Sequence, residues 1–242
     1  MKNKKKHVLI LGGSSDIGIE VIKNFIALNW KITAHFSKNK HKLKILKKAS
    51  KNLNIVKFNF TNYKNSNIEK MISKKFNKKY DSIINLTGYI DNKGFENTNL
   101  DSIVKSLTIN TIIPILIEKR LVKKMLKQKW GRILNCSSIG VKFGGGTNSY
   151  NYSLAKHCLE FIPNSYKNWA KRNVFINNLR IGVTNTKIHK RMKKNMKMKS
   201  RIRLIPINRM ANPKEMSTYI TDLSTEKNSY MTGQTLTVSG GE

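Results

Sequence analysis

A tyrosine and a lysine in the middle of the chain have the types and the spacing that a proton-transfer site needs. Tyr152 and Lys156 are four residues apart, and residues at that spacing lie on the same face of a helix, one turn above the other. A helix that begins near Ser149 would point the phenol and the ammonium into the same space. A phenol titrates near pH ~10, and a neighbouring ammonium favours its anion. We therefore expect Lys156 to lower the pKa of Tyr152, so that the phenol exchanges a proton with a substrate near neutral pH.

The segments around these residues supply the elements that would hold them. Residues 132–136 form a short apolar run bounded by glycine and serine, which predicts a buried strand. A strand that ends at residues 137–138 delivers the hydroxyl of Ser138 to the same place from the other side. Tyr-x-x-x-Lys is common by chance, so these neighbours carry the prediction. Tyr150 is not the candidate, because Leu154 stands four residues after it.

A second candidate site lies near the start of the chain. Residues 8–11 form a compact apolar strand, residues 12–18 read Gly-Gly-Ser-Ser-Asp-Ile-Gly, and residues 19–28 form an amphipathic run. Strand, glycine turn and helix build the phosphate-binding unit of a dinucleotide fold, in which amides at the helix start face the pyrophosphate. Asp16 is expected to cap the helix start. The predicted cofactor contacts here are Gly12, Ser14, Ser15, Asp16, Ile17 and Gly18.

The end of the second predicted strand, Lys31–Phe36, indicates which dinucleotide binds. NAD-binding folds place an acidic residue near this strand end, but no Asp or Glu occurs between Glu20 and Glu69. A hydroxyl and a lysine suit a 2′-phosphate, so Ser37 and Lys38 predict NADP(H), with NAD(H) as the less favoured cofactor. The alternative is a lysine-rich loop like many others in this chain.

From residue 8 to residue 241 the sequence resembles the short-chain dehydrogenase/reductase family, in particular single-domain reductases similar to 3-oxoacyl-acyl-carrier-protein reductase. The resemblance rests on Ser138, Tyr152 and Lys156, which match the catalytic signature, and on the glycine turn. It also implies a catalytic role for Asn110, inside the long helix predicted over 100–127. In the family this helix is kinked and holds a water next to the active lysine. An Asn in a helix interior is unfavourable unless something satisfies its amide.

The resemblance implies further cofactor contacts at the ends of the other strands. The third strand is predicted over 55–60 and contributes Asn59 and Phe60. The fourth strand is predicted over Ser82–Asn85, and the contacts at its end are Asn85, Thr87 and Gly88. The strand Val174–Ile181 is followed by the contacts Gly182, Val183 and Thr186, and Tyr152 and Lys156 themselves also contact the cofactor. The chain departs from the family where Asp16 replaces a glycine, Asn59 an aspartate and Ile181 a proline. Residues 140–147 are expected to carry a one-residue insertion, which Gly144, Gly145 and Gly146 make pliable enough to absorb.

The length and the alternation of elements predict the fold class. A chain of 242 residues suits one α/β domain, without linker or internal repeat. We predict a single doubly wound Rossmann-type NAD(P)-binding domain over 1–242. Its seven-stranded parallel sheet would have the order 3-2-1-4-5-6-7 with helices on both faces, because right-handed crossovers favour that topology. No metal site is predicted.

Composition suggests where the protein works. The apolar run near the start is too short for a signal peptide, and no stretch approaches membrane-spanning length. Cys136 and Cys158 fall on a predicted strand and a predicted helix, where we expect them to be buried thiols in a reducing compartment. These features favour the cytoplasm and no membrane partner.

The net charge of +34 would attract acidic partners, although abundant Lys, Asn and Ile are also typical of a mutational codon bias. Nine of the basic residues lie between residues 187 and 203, with no acidic residue and with Met192, Met196 and Met198 among them. By resemblance, residues 187–210 form the substrate lid. A basic lid studded with methionine suits a long acyl chain on an acidic or phosphorylated carrier; the alternative is a solvated lid.

The resemblance implies reversible hydride transfer between NADPH and a carbonyl, most simply on a 3-oxoacyl thioester. Ser138 would hydrogen-bond the carbonyl oxygen and Tyr152 would donate the proton. Lys156 would hold the ribose hydroxyls, and Asn110 would position a relay water. One alternative is the same chemistry on a sugar-derived or other small ketone. A second is a non-catalytic dinucleotide-fold protein that binds nucleic acid, which the absence of an aromatic–basic stacking motif disfavours. A homo-oligomer, tetramer or dimer, is expected by resemblance.

Overall fold

A parallel sheet of seven strands lies at the centre of the protein, in a computed structural model that describes residues 5–64, 67–187 and 198–242. The strands are β1 (His7–Leu11), β2 (Lys31–Phe36), β3 (Leu53–Lys57), β4 (Ser82–Asn85), β5 (Gly131–Ser138), β6 (Val174–Ile181) and β7 (Thr235–Val238). They are hydrogen-bonded in the order β3-β2-β1-β4-β5-β6-β7. The predicted sheet and its strand order are confirmed.

Helices cover both faces of this sheet. They are α1 (Asp16–Ala27), α2 (His41–Ala49), α3 (Ile68–Lys75), α4 (Leu100–Leu107), α5 (Ile113–Gln128), α6 (Tyr150–Leu159), α7 (Tyr166–Ala170), α8 (Met198–Arg203) and α9 (Pro213–Leu223). Buried side chains of α1, α2 and α9 pack on one face, and those of α3 and α5 pack on the other. Both faces of the sheet are therefore dry, as parallel sheets require.

The sequence of β1 shows why the sheet is buried on both sides. Val8, Leu9, Ile10 and Leu11 are fully buried, and successive side chains on a strand point to opposite faces. Val8 and Ile10 join the core with α1, while Leu9 and Leu11 join the core with α5. A continuous apolar run is thus the pattern of a central parallel strand.

The long helix predicted over 100–127 is present but interrupted. A single π-helical turn, Thr108–Ile112, joins α4 to α5, and Pro114 stands in the first turn of α5, where a proline is tolerated because that amide needs no helical partner. π-turns are rare and concentrate at functional sites. The irregularity that the resemblance implies near Asn110 is thus a change of helical pitch.

This same span corrects the expectation that no stretch approaches membrane-spanning length. By length and composition, Leu100–Gln128 could cross a membrane, with a mean hydropathy of 1.5 in its most apolar window. Half of that window is buried inside the fold, and the core helix of a globular protein passes the same test. Ile117, Leu121 and Met125 are almost fully buried against the sheet, which accounts for the apolar composition.

The segment after Lys156 contains two short helices and differs from its prediction at Cys158. Helix α6 ends at Leu159 and α7 begins only at Tyr166, so Pro163 interrupts the helix completely, because proline lacks the amide that would continue it. Tyr166 and Trp169 pack against the core. Cys136 is buried as expected, but Cys158 is exposed, because it lies on the outer face of α6.

Candidate active site

Strand β5 and helix α6 bring the three predicted catalytic side chains together. Strand β5 ends at Ser138, and α6 begins at Tyr150 with Ser149 as the residue before it. The Ser138 hydroxyl lies near enough to the Tyr152 phenol to act on its pKa, and the Lys156 Nζ lies 5.7 Å from the centre of the Tyr152 ring. The predicted cluster is therefore present as a geometric arrangement.

Lys156 is a buried cation held by backbone carbonyls. It is only 2% exposed, and its Nζ donates to the carbonyls of Thr87 at 2.8 Å and Cys136 at 2.6 Å. These carbonyls lie just after β4 and inside β5. Burial lowers the pKa of Lys156 to about 8, because desolvation disfavours the charged form. An ammonium has three donors, so one remains for a further acceptor.

The predicted direction of the Tyr152 pKa shift is wrong for this structure. Burial raises the pKa of Tyr152 to about 12, although the nearby Ser138 hydroxyl, which favours the phenolate, opposes the shift. Lys156 lies on the correct face, but its Nζ is directed at two carbonyls. Desolvation of the phenolate therefore outweighs the neighbouring ammonium, and the phenol is the stable form at neutral pH.

The choice of Ser138 over Ser137, and of Tyr152 over Tyr150, agrees with the geometry. The Ser137 hydroxyl donates to the Lys156 carbonyl on the buried side of the strand. The ring of Tyr150 packs edge-on against Phe95 at 5.0 Å between centroids. In the loop between β5 and α6, Gly144 and Gly145 have φ of +68° and +90°, which glycine adopts without strain. The insertion in this loop stays a prediction.

Asn110 is fully buried in the π-turn, and its amide is occupied. Its Oδ1 accepts from the Tyr89 amide at 2.7 Å, and its Nδ2 donates to the Tyr89 carbonyl and to the Ser106 hydroxyl. Both amide hydrogens are therefore used within the protein. The side chain holds the segment after β4 in place, so a water relay at Asn110 would need its backbone carbonyl.

The glycine turn after β1 has the close approaches that a phosphate-binding loop needs. Gly12 has φ of +71°, and a Cβ there would lie 2.6 Å from the Leu86 carbonyl oxygen. A Cβ on Gly18 would lie 2.8 Å from the Gly13 carbonyl oxygen. The N-cap of α1 is Ser15, whose Oγ accepts from the Gly18 amide at 3.0 Å. The amides of Gly12, Gly13, Ser15 and Gly18 are bonded within the protein, so a phosphate at this turn would be bound by the remaining amides, such as those of Ser14 and Ile17.

Asp16 does not cap α1, which corrects the prediction. Its Oδ1 accepts from Lys42 Nζ on α2 at 2.8 Å, and its Oδ2 accepts from the Lys187 amide at 2.8 Å. Burial alone would raise the pKa of Asp16, but these two hydrogen bonds outweigh it and lower that pKa. The anion that replaces a family glycine is thus neutralised by groups far away in sequence, and Lys42 is a residue that sequence reasoning missed.

Strands β1 and β4 meet at the point where the strand order reverses, which is where open α/β sheets bind ligands. Asn85 is buried there and braces the sheet: its Nδ2 donates to Asn135 on β5 and its Oδ1 accepts from the Thr87 amide. The Thr87 hydroxyl is buried and has no hydrogen-bond partner among the described residues. Thr87 and Gly88 can therefore line a cofactor crevice, whereas the Asn85 side chain is already hydrogen-bonded within the protein.

The predicted ribose and adenine contacts cluster after β2 and β3. The Ser37 hydroxyl donates to Asn59 Oδ1 at 3.1 Å, and Lys38 beside it is exposed. The Phe60 ring is only 3% exposed and stacks on His35, so it faces the core and could offer a cofactor only its backbone. Three of these four residues are thus accessible to a dinucleotide.

The loop after β6 is held by the segment before α9 and by the residue that follows β7. The Ala211 amide donates to the Val183 carbonyl at 2.9 Å, and a Cβ on Gly182 would lie 2.5 Å from the Ser239 Cα. The loop that follows Ile181 is thus packed closely against two segments that come later in the sequence. Thr186 follows, half-buried.

Most of the predicted basic lid, residues 188–197, lies outside the described residues, as do Met192 and Met196. In the described part, Arg201 forms an ion pair with Glu242. Arg209 pairs with Glu215 at 2.7 Å. Some of the positive charge at the end of the lid is therefore neutralised by acidic groups that lie later in the sequence.

A phosphate-binding turn at the reversal point of a doubly wound sheet, beside a clustered serine, tyrosine and lysine, defines a class of protein: the NAD(P)-dependent oxidoreductases. The cradle fits such a cofactor, because its glycines leave no room for side chains and the Thr87 hydroxyl is buried without a partner among the described residues.

Comparison with known proteins agrees with this class. A family model described as enoyl-(acyl carrier protein) reductase matches residues 13–242. The chain is 32% identical over 180 residues to a 3-oxoacyl-[acyl-carrier-protein] reductase of Aquifex aeolicus, covering 72% of each chain. It is 26% identical over 249 residues to an acetoacetyl-CoA reductase of an Acinetobacter species, covering 99% of this chain and 98% of that one.

A solved structure supports the fold. The crystal structure of an Agrobacterium tumefaciens 3-oxoacyl (acyl-carrier-protein) reductase with NADP bound superposes with a TM-score of 0.84, at 18% identity, over 98% of this chain and 94% of the other. This protein belongs to the short-chain dehydrogenase/reductase family. It is a short-chain NAD(P)-dependent oxidoreductase, which disfavours the alternative of a non-catalytic nucleic-acid-binding protein.

Proposed function

We propose that this protein uses NADPH to reduce 3-oxoacyl thioesters, with the acyl chain presented by acyl carrier protein. The observation that carries the proposal is the Tyr152 phenol, which lies beside the Ser138 hydroxyl and next to the buried Lys156 ammonium. This group lies beside the crevice between β1 and β4. The names of the relatives, a 3-oxoacyl carrier-protein reductase and an acetoacetyl-CoA reductase, support the choice of substrate.

Residues of this chain that line the crevice between β1 and β4 would bind the cofactor. Amides of the glycine turn around Ser14 and Ile17 bind the pyrophosphate, and Ser37 and Lys38 bind the 2′-phosphate. The remaining donor of Lys156 and the Tyr152 hydroxyl would hold the ribose hydroxyls next to the nicotinamide. Bound NADPH supplies the hydride. The family's usual acidic residue for NAD is absent after β2, which favours the phosphorylated cofactor.

The chain's own groups then handle the proton. The Ser138 hydroxyl donates a hydrogen bond to the substrate carbonyl oxygen, which orients it. Tyr152 donates the proton to the same oxygen, and its high pKa keeps the phenol protonated across the neutral range. Lys156, with its pKa near 8, stabilises the phenolate that remains. The direction favoured by a protonated phenol is reduction.

Exposed aromatic side chains beside the site suit an acyl chain. Phe95 is 64% exposed, with Tyr150 packed against it, and Phe143 is 54% exposed. These rings stand on the loop after β4 and on the loop after β5, the two segments next to Tyr152. Apolar surface at an entrance binds a hydrocarbon chain better than a polar sugar. The same chemistry on a sugar-derived or small ketone is the second candidate.

A substrate panel tests the proposal. Acetoacetyl thioesters, sugar-derived ketones and simple ketones are each mixed with protein and NADPH, and the loss of absorbance of the reduced nicotinamide is followed. We expect kcat/KM to be highest for the acetoacetyl thioesters, and higher with NADPH than with NADH. Preferential turnover of a sugar ketone would establish the second candidate, and a preference for NADH would refute the cofactor assignment.

We also propose that the protein is a cytoplasmic homo-oligomer, a tetramer or a dimer. The outer face of α4 and the start of α5 supports an assembly, because Leu100, Val104, Ile112 and Ile115 are between 38% and 77% exposed. Neighbouring apolar side chains of this size usually mark a contact surface. Light scattering coupled to gel filtration measures the mass in solution, and a monomer at micromolar concentration would contradict the proposal.

A further inference from the structure

We propose that His35 is a positioning residue of the cofactor site: its imidazole holds the backbone of the glycine turn in the conformation that binds the pyrophosphate. The proposal deepens the proposed function, since it rests on a dinucleotide binding at that turn. His35 lies in β2, one strand away from the turn, and none of its atoms is assigned to contact the cofactor.

Both nitrogens of the His35 ring are used. The Gly12 amide donates to Nδ1 at 3.2 Å, and Nε2 lies 2.7 Å from the Phe58 carbonyl oxygen. A carbonyl only accepts, so Nε2 carries the proton and Nδ1 is the acceptor for Gly12. The neutral ring with its proton on Nε2 is the one form that satisfies both partners. Burial lowers the pKa of His35 to about 4, which is consistent with that form.

The same residue connects three segments that converge on the cofactor site. Its carbonyl accepts from the Gly13 amide at 2.9 Å, so two successive glycines of the turn are bound to His35. Its ring stacks on Phe60 with 4.5 Å between centroids and 8° between planes. His35 is only 3% exposed. The glycine turn, β2 and the segment after β3 are thus held in register by one side chain.

Gly12 has little freedom to compensate for a lost partner. Its φ of +71° and its contact with the Leu86 carbonyl place the turn against β4. If the Nδ1 acceptor were removed, the Gly12 amide would be left unpaired in the interior. Such a group costs more than a surface hydrogen bond, and the turn would shift to find another acceptor. We therefore expect a weaker fit of the amides to the pyrophosphate.

Two variants separate this role from ordinary packing. The carboxamide oxygen of Asn can occupy the position of Nδ1, so His35→Asn keeps the acceptor for Gly12 and loses the donor to Phe58. The carboxamide nitrogen of Gln can reach the position of Nε2, so His35→Gln keeps the donor to Phe58 and loses the acceptor. Each variant loses one buried hydrogen bond, and we expect both to melt at a similarly lowered temperature.

Cofactor affinity is the readout that distinguishes them. We expect the Kd for NADPH, measured by the fluorescence of the reduced nicotinamide, to rise about tenfold in His35→Gln and to change less than about twofold in His35→Asn. The matched control is His7→Gln, because His7 is a half-buried histidine at the opposite end of the sheet, bonded to Thr33. That variant should lose stability without a change in Kd.

Two outcomes would overturn the proposal. If His35→Gln binds NADPH as the wild type does, or if Kd follows the melting temperature in all three variants, His35 is a packing residue only. If the wild-type protein binds neither NADPH nor NADH, the proposed cofactor site fails together with the role of His35. The binding measurement on the wild type therefore separates the two failures, and it needs no substrate.

Discussion

At the scale of single residues, the reactive group is a pair of side chains whose pKa values move in opposite directions. Burial raises the pKa of Tyr152 to about 12 and lowers that of Lys156 to about 8. Each group prefers its neutral form when it is taken out of water. Geometry brings the phenol and the ammonium together, while desolvation sets their protonation. The site therefore starts with a protonated acid beside a cation that can lose its charge in the mildly alkaline range.

The first prediction concerns Tyr152. Replacing Tyr152 with Phe removes the proton donor and keeps the ring, so we expect kcat for thioester reduction to fall about 10²-fold or more, with little change in the Kd for NADPH. The matched control is Tyr150→Phe, since the Tyr150 ring packs against Phe95 and its hydroxyl is not assigned to the reaction. Activity retained in Tyr152→Phe would refute the catalytic assignment.

The second prediction concerns pH. Lys156 is charged below its pKa of about 8 and neutral above it, whereas the Tyr152 phenol stays protonated until near pH 12. The reduction rate should therefore be level at neutral pH and fall as pH rises through about 8. The check is a profile of kcat/KM against pH with NADPH saturating. A rate that rises through this range would mean that the phenolate, not the phenol, is the active form.

At the scale of elements, the contact between α5 and β5 contains a buried acid that the proposed mechanism does not use. Glu118 is 7% exposed and accepts from Asn135 Nδ2 at 3.4 Å, while its Oε1 has no partner among the described residues. Burial raises the pKa of Glu118 to about 8, although the Asn135 hydrogen bond opposes the shift. The carboxyl is thus neutral in the folded protein at pH 7.

This shift predicts how stability depends on pH. Between the unfolded pKa, about 4.5, and the folded value, about 8, the folded state keeps a proton that the unfolded state releases. The free energy of unfolding must therefore fall as pH rises through this window. Glu118→Gln cannot ionise, so we expect its melting temperature to exceed that of the wild type by a margin that grows from about pH 5 to about pH 8.

Circular dichroism melts across this range provide the measurement. The control is Glu96→Gln, which changes an exposed acid on the loop after β4 and should leave the margin constant with pH. If the difference in melting temperature between Glu118→Gln and the wild type is the same at both ends of the range, then Glu118 is ionised in the folded state. The assignment of a neutral buried carboxyl would then be wrong.

At the scale of the whole molecule, 47 Lys and Arg against 13 Asp and Glu surround the site with a positive field. Fields of this kind raise the association rate of acidic partners, and salt screens them within a Debye length of about 8 Å at physiological ionic strength. Several acidic groups are already used inside the fold, as in the pairs of Arg180 with Glu160 and Lys42 with Asp16. Most of the excess charge is therefore free to act at a distance.

The positive field predicts that salt lowers kcat/KM for a substrate on an acidic carrier but not for the same substrate without the carrier. We expect kcat/KM for acetoacetyl-acyl-carrier protein to fall steeply between low and physiological salt. The same acetoacetyl group on a small uncharged thioester should be nearly indifferent to salt, and this substrate is the control. Equal salt slopes for both substrates would show that the charge plays no part in presenting the substrate.

Much of this architecture could be predicted from local pattern. The bounds of β2, β4 and β6 agree with the sequence, because apolar runs depend only on adjacent residues. The glycine turn and the Tyr-x-x-x-Lys spacing likewise indicated the cofactor-binding part and the proton-transfer part of the candidate site. The pitch change at Asn110 could be expected only from the family resemblance.

The partners of polar groups belong to the tertiary structure alone. Asp16 is bonded by Lys42 and Lys187, His35 by Gly12 and Phe58, and Asn110 by Tyr89. Each of these pairs joins segments that are distant along the chain, and no local pattern encodes the distance between them. The predicted direction of the Tyr152 pKa shift was wrong for the same reason. Desolvation of a side chain depends on every element that packs around it, and those elements are distant in sequence. Short-range periodicity thus determines where helices and strands form, and the packing of those elements determines which atoms become acids, cations and hydrogen-bond partners.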